Sequence, residues 1–338
     1  MTKKILITGL TGMVGSHLLD FLVENTDWEL HGLIRWRSSL DNIENHISLI
    51  NEYNRIRLHY GDIRDICSLE SVFSSINFDI VFHLAAQSYP KTSFDSADDT
   101  FITNINGTRN IMECCKKYCP NATIHNCSSS EVFGRVPKEY VPIKEDTPFH
   151  PASPYAISKC TADLVGRYYA EAFDMNVLTT RMFTHTGPRR GDVFMESTFA
   201  KQIALAENGY IEPVILTGNL ASVRTIADVR DAVRAYYLLV TTDGILKGSC
   251  FNIGGDFTAT VGEILSSLMK LSTLKGLTSR VAQDRLRPID ADLQIPDTSK
   301  FRKLTDWKPI ISFETTMSNL LDYWRERVSR SGNVFLQR

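Results

Sequence analysis

A chain of 338 residues that is 43% hydrophobic holds enough apolar material for about two domains. Its 37 Lys+Arg nearly cancel its 39 Asp+Glu, a net charge of −2, which excludes a global basic field that would steer it to nucleic acid or membranes. It contains no signal-peptide pattern and no run of about 18 apolar residues, so a cytoplasmic protein is expected, with reduced thiols at its seven Cys.

In chain order, residues 4–8, 29–34, 56–60, 80–84, 123–127 and 177–182 are short apolar runs that read as strands. Residues 14–25, 68–75, 103–118 and 154–173 carry helical spacing between them. This alternation predicts an α/β fold, a doubly wound parallel sheet whose ligand site lies at the carboxyl ends of the strands.

The first strand runs into Gly9-Leu10-Thr11-Gly12-Met13-Val14-Gly15, which opens the first helix. Glycines there permit a tight turn and close approach to a pyrophosphate, and the helix N-terminus favours its charge. A carboxylate after the second strand would select NAD, but Arg35-Trp36-Arg37-Ser38-Ser39 stands there instead. Arg35, Arg37 and Ser38 suit a 2′-phosphate, so NADP is the expected cofactor. The competing reading is a solvated charge or a subunit contact. After the third strand, Asp62 and Ile63 are placed at the adenine, with a structural cap as the alternative role of Asp62. Cys114, Cys115 and Cys119 lack the second Cys/His cluster of a zinc site, and no metal is expected.

Ser128-Ser129-Ser130-Glu131 follows the fifth strand, and Tyr155 and Lys159 share one face of the next helix. An ammonium beside a phenol favours phenolate, the form that takes a proton from a hydroxyl as hydride leaves its carbon. After residue 187 the alternation breaks up around Pro188, Pro213, Pro288, Pro296 and Pro309. The expected organisation is a first lobe of residues 1–186, a smaller α/β lobe over 187–328 and a tail over 329–338. Residues 214–218 and 251–254 are candidates to return to the main sheet.

With these motifs in hand, the chain resembles an extended short-chain dehydrogenase/reductase of the nucleotide-sugar branch, with a Rossmann-type first lobe. The matches are Gly9, Gly12 and Gly15, the pair Tyr155 and Lys159, and Leu84-Ala85-Ala86-Gln87-Ser88 after the fourth strand. Within the branch it is most similar to the GDP-mannose 4,6-dehydratases, through Arg35 to Ser39, Ser129 to Gly134, Pro188-Arg189-Arg190-Gly191 and Trp307-Lys308-Pro309.

The resemblance implies an NADP-dependent hydro-lyase acting on a nucleoside-diphosphate sugar, with GDP the expected nucleotide. It implies that Glu131 is the base at C5, that Ser130 meets the C6 hydroxyl and that Ser129 holds the C4 hydroxyl beside Tyr155. Leu84, Ala85, Ala86 and Gln87 would line the cofactor, while Ser88, Thr184, Arg190, Arg224, Arg287 and Asp290 would meet the substrate. Thr184 departs from the Asn of many relatives, and so does the stretch 88–91, which leaves the hexose open between mannose, a manno-heptose and others. A homodimer or homotetramer is implied through the helices after strands four and five. The rival activities are a 4-keto-sugar reductase, a C4 epimerase and, more remotely, a non-catalytic NADP(H)-sensing module.

Overall fold

The computed structural model describes residues 2–51, 55–286 and 291–331. Along the first half run β1 (Lys4–Thr8), α1 (Met13–Asn25), β2 (Glu29–Ile34), α2 (Ile47–Asn51), β3 (Ile56–Tyr60), α3 (Ile66–Phe73) and β4 (Ile80–His83). Then come α4 (Pro90–Asp95), α5 (Ala97–Phe101), α6 (Gly107–Tyr118), β5 (Thr123–Cys127), α7 (Pro154–Phe173) and β6 (Asn176–Met182). The strands pair in parallel in the order β6-β5-β4-β1-β2-β3. The chain therefore reverses direction across the sheet between β1 and β4, and the crevice at their carboxyl ends is the place where such sheets take a ligand.

The inner strands are short and bounded by turn residues and bury both faces under helices, whereas β3, at the sheet edge, leaves Arg57 and Tyr60 exposed. Ile5, Ile7, Phe82 and Leu178 join Leu18 and Leu22 of α1 on one side, while Leu6, Val81, Ile124 and Val177 meet Ile111 and Cys115 of α6 on the other. Cys114, Cys115 and Cys119 are buried free thiols in that second core.

The second half supplies β7 (His185–Thr186), α8 (Met195–Glu207), β8 (Val214–Thr217), β9 (Val223–Asp228), α9 (Val229–Thr241), β10 (Cys250–Ile253), β11 (Phe257–Thr260) and α10 (Val261–Lys270). It ends with β12 (Thr278–Val281), β13 (Leu293–Gln294), α11 (Ser299–Thr305) and α12 (Phe313–Ser331). Of the two segments that were candidates to return, β10 does, pairing in parallel with β6 as the seventh strand, whereas β8 pairs with β12 in a separate two-stranded sheet. A third sheet, β11-β9-β13 with β7 also on β9, packs beneath α8, α10 and α12 in a core of its own.

Two sequence expectations change in detail. Helix α12 continues to Ser331 because Trp324 and Val328 bury its inner face, so residues 329–331 are its last turn rather than tail; residues 332–338 lie outside the described residues. The helix expected from residue 103 begins as a π-helical turn, Ile102–Asn106, before α6. Such turns add a residue to the helical circuit and re-aim a side chain, here Asn104. Among the described residues no helix is long and apolar enough to cross a membrane.

Candidate active site

The loop between β1 and α1 is too tight for a side chain at its glycine positions. Gly9 adopts a φ of 71°, and a Cβ at Gly15 would lie 2.3 Å from the Gly9 carbonyl oxygen. A Cβ on Gly9 would press on the Ala85 backbone at 3.0 Å, so the loop also depends on the segment after β4. Thr8 joins the two: its Oγ1 accepts from the Leu84 and Ala85 amides at 3.1 Å and meets His83 Nδ1 at 3.0 Å. Gly12 caps α1 without a side chain, which leaves the helix N-terminus at Met13 and Val14 open to an anion. The Thr11 carbonyl accepts from Asn42 Nδ2 at 2.9 Å, fixing this loop to the one after β2. This cradle fits a pyrophosphate.

After β2, Arg35 and Arg37 are exposed, and neither makes a salt bridge among the described residues. Ser38 turns the loop, its Oγ accepting the Arg35 amide at 3.2 Å. Asp62, after β3, is engaged from within its own loop: Arg64 Nη2 donates to Oδ2 at 2.7 Å and Arg64 Nε to Oδ1 at 3.0 Å. That hydrogen-bonded guanidinium holds the Asp62 carboxyl below its usual range, and Arg64 also reaches Asp99. Ile63 is buried beneath Gly107, and its carbonyl accepts from Asn110.

The catalytic candidates meet at the carboxyl end of β5. Ser129 caps a short 3-10 turn, Ser130–Phe133, by accepting the Glu131 amide at 3.2 Å. Ser153 caps α7 in the same way, through the Ala156 amide at 3.0 Å, and Pro154 in the first turn fits a helix start. Together they bring the buried Tyr155 phenol within a hydrogen bond of Ser129, with the Glu131 carboxylate and the Arg190 guanidinium close enough to act on it. Burial pushes the phenol above its usual value; Ser129 and Arg190 oppose the rise. Lys159, one turn on, donates Nζ to the Cys127 carbonyl, and burial lowers its ammonium. Ser130 is buried beside Ser129, and Glu131 is half-buried.

One contributor escaped the motifs. Asn104 Oδ1 accepts the Gln87 amide at 2.8 Å, while its Nδ2 donates to the Gln87 carbonyl at 2.9 Å and to Ser158 Oγ at 2.8 Å. Ser158 in turn donates to the Tyr155 carbonyl at 2.7 Å, and Ser93 Oγ accepts the Tyr155 amide at 3.0 Å. The segment after β4 is thus tied at both ends to the turn that carries Tyr155. Ser88 is exposed at its tip, and Tyr89 reaches across to Phe194 with ring centroids 5.8 Å apart.

From the second half, the half-buried Thr184 holds β9 through its carbonyl, which accepts the Ala227 amide at 2.9 Å. Arg190 lies 3.4 Å above the Phe194 ring and 3.2 Å from Glu196, and its burial lowers it. His185 beside it is held neutral, lowered by burial to about 4. Arg224 on β9 donates to the Val223 and Ala291 carbonyls at 2.9 and 2.7 Å. Arg287 and Asp290 lie outside the described residues.

Residues 6–320 match the family model described as GDP-mannose 4,6 dehydratase. GDP-mannose 4,6 dehydratase 1 of Arabidopsis thaliana is 32% identical over 95% of this chain and 89% of its own, and the Homo sapiens GDP-mannose 4,6 dehydratase is 28% identical over 94% and 90%. Among solved structures, RMD from Pseudomonas aeruginosa complexed with NADPH superposes with a TM-score of 0.81 at 26% identity, covering 97% of this chain and 100% of that one.

Proposed function

The chain belongs to the GDP-mannose 4,6-dehydratase family, and on that basis we propose that it removes water from GDP-mannose, or from a related GDP-sugar such as a GDP-manno-heptose, to give the 4-keto-6-deoxy product. It is a nucleotide-sugar dehydratase, a hydro-lyase that works with a pyridine nucleotide. NADP is the form we propose. The observation that carries the reading is Ser129 and Glu131 acting on the Tyr155 phenol at the end of β5, with Lys159 one turn on and bonded to the Cys127 carbonyl, in a fold whose Gly9 and Gly15 leave no room for a Cβ.

In this reading the Gly9 to Gly15 loop holds the cofactor pyrophosphate, Arg35, Arg37 and Ser38 its 2′-phosphate, Asp62 and Ile63 flank its adenine, and Leu84 to Gln87 line its inner half. A bound pyridine nucleotide supplies the acceptor for hydride leaving C4 and the donor for its return at C6. Tyr155 takes the C4 hydroxyl proton while Ser129 orients that hydroxyl and the Lys159 ammonium favours phenolate. The resulting ketone acidifies the C5 proton, which Glu131 removes; Ser130 assists departure of the C6 hydroxyl as water. With hydride returned at C6 and a proton given back at C5 by Glu131, the sugar loses one water in all and carries its own oxidation at C4 into reduction at C6. Ser88, Thr184, Arg190 and Arg224 meet the substrate, together with Arg287 and Asp290.

The test is a panel of GDP-, dTDP-, UDP- and CDP-sugars followed by mass spectrometry. Loss of one water from a GDP-hexose with no net change in NADPH is expected. Stoichiometric NADPH consumption, or isomerisation without a mass change, would replace this reading with the reductase or the epimerase. Cofactor choice has its own test. Replacing Arg35 and Arg37 by Ala is expected to weaken NADP+ by at least about tenfold, the cost of losing charge-assisted bonds, and to leave NAD+ binding unchanged in a fluorescence titration.

We also infer a homodimer through α7 and the segment before α6. Ile157, Leu164 and Tyr168 lie at helical spacing on α7, exposed, beside the exposed Phe94 and Ile102. An apolar stripe of this kind is what a helix-paired interface buries.

A further inference from the structure

Arg190 carries a counter-ion of its own. The Glu196 side chain, in the first turn of α8, is 3% exposed, with Oε1 3.2 Å from Arg190 Nε. The approach lacks the angle of a hydrogen bond, and among the described residues neither atom has another hydrogen-bond partner. Other contacts hold Arg190 where it is. Its guanidinium lies 3.4 Å from the centroid of Phe194, and its carbonyl accepts Ser197 Oγ at 2.8 Å, which in turn accepts Trp324 Nε1 at 2.8 Å.

A guanidinium cannot shed its proton when buried, so it needs an anion nearby at all times. Glu196 meets that need through an imperfect contact, at a distance where charge counts and alignment does not. A diphosphate arriving at Arg190 brings the same sign of charge to the same place, and like charges brought together in a desolvated site repel strongly.

We propose that Glu196 is a resident competitor for Arg190, a carboxylate that occupies the guanidinium of the ligand-free chain and deliberately loosens its grip on a diphosphate. The inference rests on reading Arg190 as a phosphate contact. Affinity is then set by the difference between two anions, which lets a charged product leave. Glu196 acts through Arg190 and is a positioning residue. The diphosphate chemistry is shared by the nucleotide sugar and the cofactor, and the two are separated by experiment.

Calorimetric titration of the full chain with GDP, and separately with NADP+, distinguishes these outcomes for wild type, Glu196→Gln, Arg190→Gln and the double variant. Glu196→Gln is expected to bind one of the two ligands roughly tenfold more tightly, a sign that structural damage does not produce. Arg190→Gln weakens the same ligand, and the double variant binds like Arg190→Gln, because neighbouring charges that act on one another are not additive. Unchanged or weaker binding by Glu196→Gln overturns the proposal while leaving the Arg190 reading intact, as does tightening that survives in the double variant. If Arg190→Gln alters neither ligand, the phosphate reading of Arg190 fails and this inference fails with it. Should Glu196→Gln not fold, Glu196→Asp, which keeps the charge but withdraws it, is expected to tighten binding to a smaller degree; no tightening there also overturns the proposal.

Discussion

Replacing Glu131 by Gln is expected to abolish release of the 4-keto-6-deoxy sugar while leaving the first oxidation in place. The amide keeps the shape of the side chain and the turn that Ser129 caps, since that turn is closed by the Glu131 backbone amide rather than its carboxylate. What is lost is the proposed base. General-base catalysis contributes about 10²–10⁴-fold, so dehydration should slow by that factor. Two measurements separate this from general damage. On mixing the holoenzyme with substrate, the nicotinamide absorbance change that reports C4 oxidation should persist, and incorporation of solvent deuterium at C5 should disappear. Retention of C5 exchange in the variant would remove Glu131 from its assigned role.

Tyr155→Phe is expected to act one step earlier and to silence both signals, with kcat reduced by about 10²–10⁴-fold and substrate affinity little changed. The direction of the wild-type pH dependence follows from the surroundings of the phenol. Burial raises it, as do Cys127 and Glu131, while the Ser129 hydrogen bond and the Arg190 charge lower it. Only the deprotonated form can take the C4 proton, so the wild-type rate should rise with pH through the phenol's range and fall as pH drops below it. The residual activity of Tyr155→Phe should lose that limb. An unchanged limb would assign it to another group.

Although the short helices α2, α4 and α5 carry too little periodicity to be read, the strands of the first lobe were legible in the sequence nearly to the residue, because they are short contiguous runs separated by helical spacing, as in Lys4–Thr8 and Ile80–His83. The second half was not. Its elements are short, Leu293–Gln294 and His185–Thr186 among them, and they pair over long stretches of chain, β13 with β9 and β8 with β12, where no local period reports the partner. The site divides in the same way. Gly9 to Gly15 and the proposed pair Tyr155 and Lys159 stand out because each motif is made of residues close in sequence. Asn104 gave only a weak signal, a polar residue of poor helix propensity inside an apparent helix, and its meaning depends on a π-helical turn that brings Gln87 and Ser158 to it. The pairing of Arg190 with Glu196 follows from α8 starting at Met195, a boundary that composition does not mark.

The seventh strand has a wider consequence. Because β10 seals the open edge of β6 only after the chain has built β8 and β9, and because Tyr236 and Leu239 of α9 pack into the same core as Leu18 and Leu22 of α1, the two halves are interleaved. A fragment ending at residue 186 would expose a bare sheet edge and an uncovered helix face, a form prone to stick to its own copies. Substrate range in this architecture therefore cannot be exchanged by grafting a whole terminal half from one relative onto another. It has to drift loop by loop, at positions such as the segment after β4, under a frame inherited intact.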